Sequence, residues 1–246
     1  MMEVERMTFN VVIPVLDEER ALRAGVEGAI RFLDGTAAEG AYTITVADNG
    51  STDGTERIAG ELCAEYGQVS YLKLGERGVG LAFREAIKHN RSDIVGYMDV
   101  DLATDIRHLE QVYRLFTEEG AGVVVGSRLL PGSRVYGRPL LREITSRGLN
   151  ILLKVLLRVR FSDAMCGFKF YKKDVAEHLV QVGSDEKGWF FCAEMMIRAE
   201  WEGIQVMEIP VVWHDDPDSK VKVGKLSAAY LRSILRLCRE KRRKGC

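Results

Sequence analysis

Ile94-Val95-Gly96-Tyr97-Met98-Asp99-Val100-Asp101 is the stretch on which the fold turns. Ile94 to Met98 reads as an apolar strand, and it ends on two carboxylates two residues apart. Side chains alternate along an extended chain, so Asp99 and Asp101 fall on one side at the strand's C-terminal end. Open parallel sheets carry their sites at those ends. Two such carboxylates suit a hard divalent cation that also takes phosphate oxygens, Mg2+ or Mn2+. Asp-x-Asp is also common in ordinary loops, so the weight of this reading comes from the rest of the chain.

Working outward, the pattern repeats. Phe9 to Val15 reads as a buried strand, and Asp17-Glu18-Glu19 as the acidic first turn of a helix running to about Leu33. Tyr42 to Ala47 is a second strand, ending in the cap-rich turn Asp48-Asn49-Gly50-Ser51-Thr52-Asp53-Gly54-Thr55 before a helix to about Tyr66. Val69 to Leu74 is a third strand, Leu81 to His89 a helix, Leu109 to Glu119 another, and Gly122 to Gly126 a fifth strand. This β-α-β order predicts an α/β fold with a mostly parallel sheet and helices on both faces. Beyond Arg128 the pattern loosens: a loop from Pro131 to Pro139, a helix from Leu140 to Val159, a strand at Gly167 to Tyr171, a helix from Cys192 to Glu202, and a strand from Val206 to Val212.

The 246 residues suit one large α/β domain, and a net charge of -1 gives no global pull toward nucleic acid. Residues 1–225 are expected to form that domain and 226–246 a basic amphipathic helix. Arg232, Arg236, Arg239, Lys241, Arg242, Arg243 and Lys244 face a single acid, Glu240. Five cysteines without metal or redox spacing predict reduced thiols in the cytoplasm. No signal peptide is visible, and the apolar run Leu149 to Leu157 is too short and polar to span a bilayer. His89, His108, His178 and His214 show no metal-ligand spacing; only His214 lies beside a candidate site segment.

Four polar turns at strand ends should meet on one sheet edge: Pro14 to Glu18, Asp48 to Ser51, Asp99 to Asp101, and Gly126-Ser127-Arg128. With Gly78-Val79-Gly80 they resemble the motifs of family 2 glycosyltransferases of the GT-A fold. Within that family the chain is most similar to dolichyl-phosphate and polyprenyl-phosphate sugar synthases, the glucosyl branch above all. The finer match rests on Ser146 to Asn150, Phe161 to Lys169, Ile209 to Trp213, and Asp218-Ser219-Lys220. The resemblance assigns Pro14, Leu16, Glu18, Asp48, Asp99 and Val100 to the nucleotide pocket, with Asp48 accepting a hydrogen bond from the base. It assigns Asp99 and Asp101 to the metal, and Arg128, Arg147 and Lys220 to donor and acceptor phosphates. Asp163 would organise the acceptor region. The implied reaction is metal-dependent, inverting transfer of a hexose from a nucleotide sugar to a lipid phosphate.

Three departures argue against GDP-mannose and for UDP-glucose. Ala103 stands where mannosyl synthases often have Gln, Asp17 replaces the usual Asn, and no Arg shortly precedes Ser219-Lys220. Leu226, Tyr230, Ile234, Leu235 and Leu237 among basic residues suit a helix lying on an anionic leaflet, or one packed on the domain. The enzyme is therefore expected to be peripheral, on the cytoplasmic face of a membrane. Other readings stay open: a family 2 transferase with a sugar or protein hydroxyl as acceptor, and a non-catalytic nucleotide-sugar-binding module. A nucleotidyltransferase fits less well, because the first strand lacks the usual Gly-rich entry.

Overall fold

In β1, Phe9–Val15, Phe9, Val11, Ile13 and Val15 enter one apolar cluster while Val12 enters another. A strand buried on both faces belongs inside a sheet, and β1 lies between two parallel neighbours. The computed structural model describes residues 6–36, 38–183, 186–215 and 223–244. After β1 come α1 Leu22–Leu33, β2 Tyr42–Asp48, α2 Thr55–Glu65, β3 Val69–Lys73, α3 Val79–His89, β4 Ile94–Met98, α4 His108–Glu118 and β5 Val123–Ser127. Then follow β6 Arg134–Tyr136, α5 Leu140–Leu157, β7 Phe168–Lys172, α6 Lys173–Val182, α7 Phe190–Trp201, β8 Val206–Pro210, β9 Val212–His214 and α8 Val223–Lys244.

The main sheet has the order β3-β2-β1-β4-β7-β5-β8, and β6 pairs with β9 in a two-stranded sheet. All neighbours in the main sheet are parallel except β7, which runs antiparallel to both β4 and β5. Helices α1, α2 and α4 supply Leu22, Val26, Ile58, Leu62, Leu109 and Phe116 to the cluster on one face. Helices α3 and α5 to α8 supply the other, including Phe83, Leu153, Leu179, Phe190 and Ile234. The fold is GT-A-like, a mostly parallel sheet covered on both sides.

Several local expectations are revised. The first helix begins at Leu22 and not at Asp17, because the 17–19 segment is fastened to the 51–55 turn. Asp17 adopts φ 55 and its carboxylate accepts from the Thr52 backbone N–H at 2.7 Å. Glu19 N–H donates to Asp53, and Gly54 N–H to the Glu19 carboxylate. Such side-chain bonds compete with a helical turn. The Pro131–Pro139 loop contains β6, and the strand expected from Val206 to Val212 breaks at Pro210, which cannot donate to a ladder. Helix α6 has no counterpart in the sequence reading.

The basic C-terminal helix starts at Val223 and docks by one face. Tyr230, Ile234 and Leu237 are buried in the cluster that α7 also fills. Arg236 pairs with buried Glu194, and Arg198 reaches Glu240 at 2.9 Å.

The turn after β4 is held tightly by α1. A Cβ on Gly25 would lie 2.2 Å from the Val100 carbonyl oxygen, so only glycine lets the helix come this close. Close-packed backbone has no room to yield cheaply. Gly25→Ala should therefore lower unfolding free energy by about 1–3 kcal/mol, the usual range for overpacking, as read by urea denaturation. It should also displace the Asp99 and Asp101 carboxylates, because the Val100 carbonyl belongs to the 99–101 turn.

Candidate active site

Strands β1, β2, β4 and β5 run parallel, so their C-terminal turns share one edge. On the β4 turn, Asp101 is exposed and Asp99 is half-buried. Burial, then the charge of Asp101, pushes the Asp99 carboxyl up to about 7, while Lys169 and Arg128 pull it down and Glu18 adds to the rise. Glu18, Asp99, Asp101, Arg128 and Lys169 thus share one electrostatic neighbourhood. Asp99 is seated against Gly167: a Cβ there would stand 2.0 Å from its Oδ2. The Asp101 carboxylate accepts the Ala103 N–H at 3.0 Å.

These groups fit a divalent cation shared with a ligand. The donors are hard carboxylate oxygens, and Gly167 leaves a cradle that holds one of them. Among the described residues no cluster of three or more His, Cys, Asp or Glu converges on a metal position. Two carboxylates would leave the rest of the shell of Mg2+ or Mn2+ to phosphate and water oxygens. Such an ion would also reverse the upward push on Asp99.

Asp48, at the end of β2, is buried and fixed. It accepts from Ser51 N–H at 2.8 Å and from the Tyr71 hydroxyl at 2.8 Å. Pro14, Leu16 and Glu18 are half-buried at the end of β1, where Glu18 N–H donates to the Thr55 hydroxyl at 2.9 Å. Val100 is buried under α1.

Arg128 and Asp163 form a buried fork. Arg128 Nε meets Asp163 Oδ2 at 2.7 Å, Nη2 meets Oδ1 at 3.0 Å, and the Arg128 backbone N–H donates to the same carboxylate. The guanidinium stacks over the Trp213 ring. Burial alone would raise the Asp163 pKa, but the Arg128 charge and hydrogen bonds hold it at about 2. Arg128 is thus an anchored charge at the edge of the site. Arg147, on α5, is exposed and bonded to Glu143 at 2.6 Å. Lys220 lies outside the described residues.

The sequence reading passed over four groups. Lys169 is fully buried on β7 and donates to the Cys166 carbonyl. A lysine inside the apolar run Phe168–Tyr171 was the visible signal. Tyr71 clamps Asp48 from β3, a contact no local pattern announces. The Ser146 hydroxyl, and Nε and Nη1 of Arg138, are buried without a hydrogen-bond partner among the described residues.

Residues 10–180 match the model of Glycosyl transferase family 2. This chain belongs to that family. It is 34% identical over 213 residues to the glycosyltransferase AglD of Haloferax volcanii, a match covering 86% of this chain and 34% of that protein. It is 27% identical over 222 residues to a dolichyl-phosphate beta-glucosyltransferase of Trichomonas vaginalis, covering 87% of this chain and 66% of that one. The chain thus spans about a third and about two thirds of these relatives. Its fold is similar to that of glucosyl-3-phosphoglycerate synthase from Mycobacterium tuberculosis, solved with Mn2+, UDP-glucose and phosphoglyceric acid. The TM-score is 0.69 at 19% identity, over 94% of this chain and 80% of that one.

The buried fork gives a pH-dependent prediction. Asp163 has a folded pKa below the ordinary 3.8, so its stabilisation is full above that value and is lost as pH falls toward 2. Asp163→Asn should cost roughly 3–5 kcal/mol at pH 7, because it leaves the Arg128 charge buried and unpaired. Denaturant unfolding at pH 7, 4 and 2.5 should show the variant closing on the wild type as pH drops.

Proposed function

We propose that this family 2 enzyme transfers a hexose, with inversion, from a nucleotide sugar to dolichyl or polyprenyl phosphate at a membrane surface. UDP-glucose is the favoured donor and GDP-mannose the next. The observation that carries the reading is the pairing of two features. A two-carboxylate turn suits a nucleotide diphosphate, and the edge of the site continues into a helix with an unpartnered apolar stripe. On α5, Leu140, Ile144, Ile151 and Val155 are 74%, 59%, 62% and 70% exposed. They fall on one helix face over about 22 Å. Leu231 and Leu235 of α8 are also exposed, among Arg232, Arg239, Arg242 and Arg243. Apolar and basic side chains together suit an anionic leaflet. Among the described residues no helix is long and apolar enough to cross a membrane. The reading places the enzyme peripherally, on the cytoplasmic face that keeps thiols reduced. The dolichyl-phosphate glucosyltransferase relatives support both the sugar and the lipid.

Asp48, clamped by Tyr71 and Ser51, is positioned to accept a base N–H such as that of uracil. Asp99 and Asp101 would hold Mg2+ or Mn2+, which when bound would neutralise charge on the leaving diphosphate. The acceptor phosphate is already anionic near neutral pH, so no general base is required. Asp163 is committed to Arg128, and Glu194 to Arg198 and Arg236, so neither is offered as one. Arg128 contributes a fixed positive field where negative charge gathers.

Purified protein should convert polyprenyl phosphate and UDP-glucose to a hexosyl-phosphate lipid by mass spectrometry, with Mg2+ or Mn2+ required. Asp101→Ala should reduce turnover by at least about a hundredfold, the scale of losing a catalytic electrostatic group. Transfer to hydroxyl acceptors alone would overturn the lipid assignment. Separately, Ile151→Asp with Val155→Asp should weaken flotation with anionic vesicles by about tenfold or more, since each apolar side chain contributes roughly 1.5–3 kcal/mol when buried.

A further inference from the structure

Lys169 carries an ammonium into the middle of the sheet. It is 0% exposed, on β7, opposite Tyr97 of β4 and Val125 of β5. A buried charge is costly unless it is paired or well hydrogen-bonded. No carboxylate among the described residues stands within ion-pairing distance of Lys169. Its ammonium donates to the Cys166 carbonyl, reaches the Tyr97 hydroxyl at 3.4 Å and lies 5.6 Å from the centre of the Tyr97 ring. An apolar side chain of similar volume would fill the same place at less cost.

The ammonium holds the segment that enters β7. The ladder between β4 and β7 ends at Met98 and Phe168, and the ladder between β5 and β7 at Val125 and Lys169. Cys166 and Gly167 lie just beyond these last rungs, yet Cys166 is fully buried. A buried carbonyl needs a donor, and Lys169 supplies it from three residues along the chain. The next residue is Gly167, against which the Asp99 carboxylate is seated; a Cβ there would stand 2.0 Å from Oδ2. The same short segment begins at Asp163, held by Arg128. The charge of Lys169 reaches both Asp99 and Asp163.

We infer that Lys169 is a positioning residue for the carboxylate turn: by clasping the Cys166 carbonyl it fixes Gly167, and Gly167 fixes Asp99 for a divalent cation shared with a nucleotide diphosphate. This rests on the reading that Asp99 and Asp101 hold Mg2+ or Mn2+. Lys169 acts through the glycine cradle and not on the reacting atoms.

The test reads metal binding apart from catalysis. Calorimetric titration of Mn2+ into protein saturated with UDP should give an affinity about 10–100-fold weaker in Lys169→Met than in the wild type, the usual cost of losing a group that orients a metal ligand. UDP affinity measured in EDTA should be the same in both. Gly167→Ala should weaken Mn2+ in the same way. The double variant should be no weaker than the weaker single one, because two changes acting through one contact do not add. Should Lys169→Met not fold, Lys169→Gln, too short to reach the carbonyl, takes its place with the same expectation. Unchanged Mn2+ affinity in the Lys169 variant would overturn the inference. So would fully additive losses in the double variant, which would mean that Lys169 does not act through Gly167. An equal loss of UDP affinity in EDTA would show general loosening of the scaffold instead, and would also overturn it. If the wild type saturated with UDP takes up no Mn2+, the metal reading itself fails and the inference falls with it, an outcome distinct from a wild type that binds Mn2+ and a variant that binds it equally well.

Discussion

The 99–101 turn is gripped from two directions, and most of the site depends on that grip. Gly25 of α1 presses on the Val100 carbonyl, and Gly167 receives the Asp99 carboxylate. Neither position has room for a single added methyl. Two carboxylates set side by side repel each other, and burial compounds the cost to Asp99. Packing against backbone on both sides prevents the turn from relaxing away from that repulsion. The turn is held in place by contacts that themselves carry no charge.

Around this turn the charges are graded by how firmly they are held. The Arg128–Asp163 fork is buried and mutually satisfied. Lys169 lies beneath it, donating to the Cys166 carbonyl and so tying the 163–167 segment to β7. Arg147 is exposed and bonded to Glu143. Arg138 is buried beside Glu143 at 3.3 Å, with Nε and Nη1 making no hydrogen bond among the described residues.

The parallel half of the sheet was legible because each strand is a short apolar run followed by a polar turn and an amphipathic helix. Ile94 to Met98 announces itself in this way, and so does Phe9 to Val15. β7 was legible as a strand but not in its direction, since Phe168–Lys172 is buried from both sides and its pattern is the same either way. Helix α6 was passed over although Val175, Ala176, Leu179 and Val180 recur at helical spacing and pack on the second cluster. Asp17 misled because an acid before an apolar run also describes a helix start; its bond to Thr52 is a contact 35 residues away. In the site, the carboxylates were visible from local sequence alone. The partnership of Arg128 with Asp163 and the burial of Arg138 were not, because both depend on neighbours that only the folded chain assembles.

The reversed strand β7 also sets a distance. It lies between β4, which ends at the carboxylates, and β5, which ends at Arg128. Because it runs the other way, its entering end arrives at the same edge and brings Asp163 and Gly167 with it. Strands are spaced about 4.8 Å apart, so the tips of β4 and β5 stand about 10 Å from each other. The strand that breaks the parallel order thus acts as a spacer, holding the carboxylate turn and the Arg128 anchor two strand widths apart on one edge.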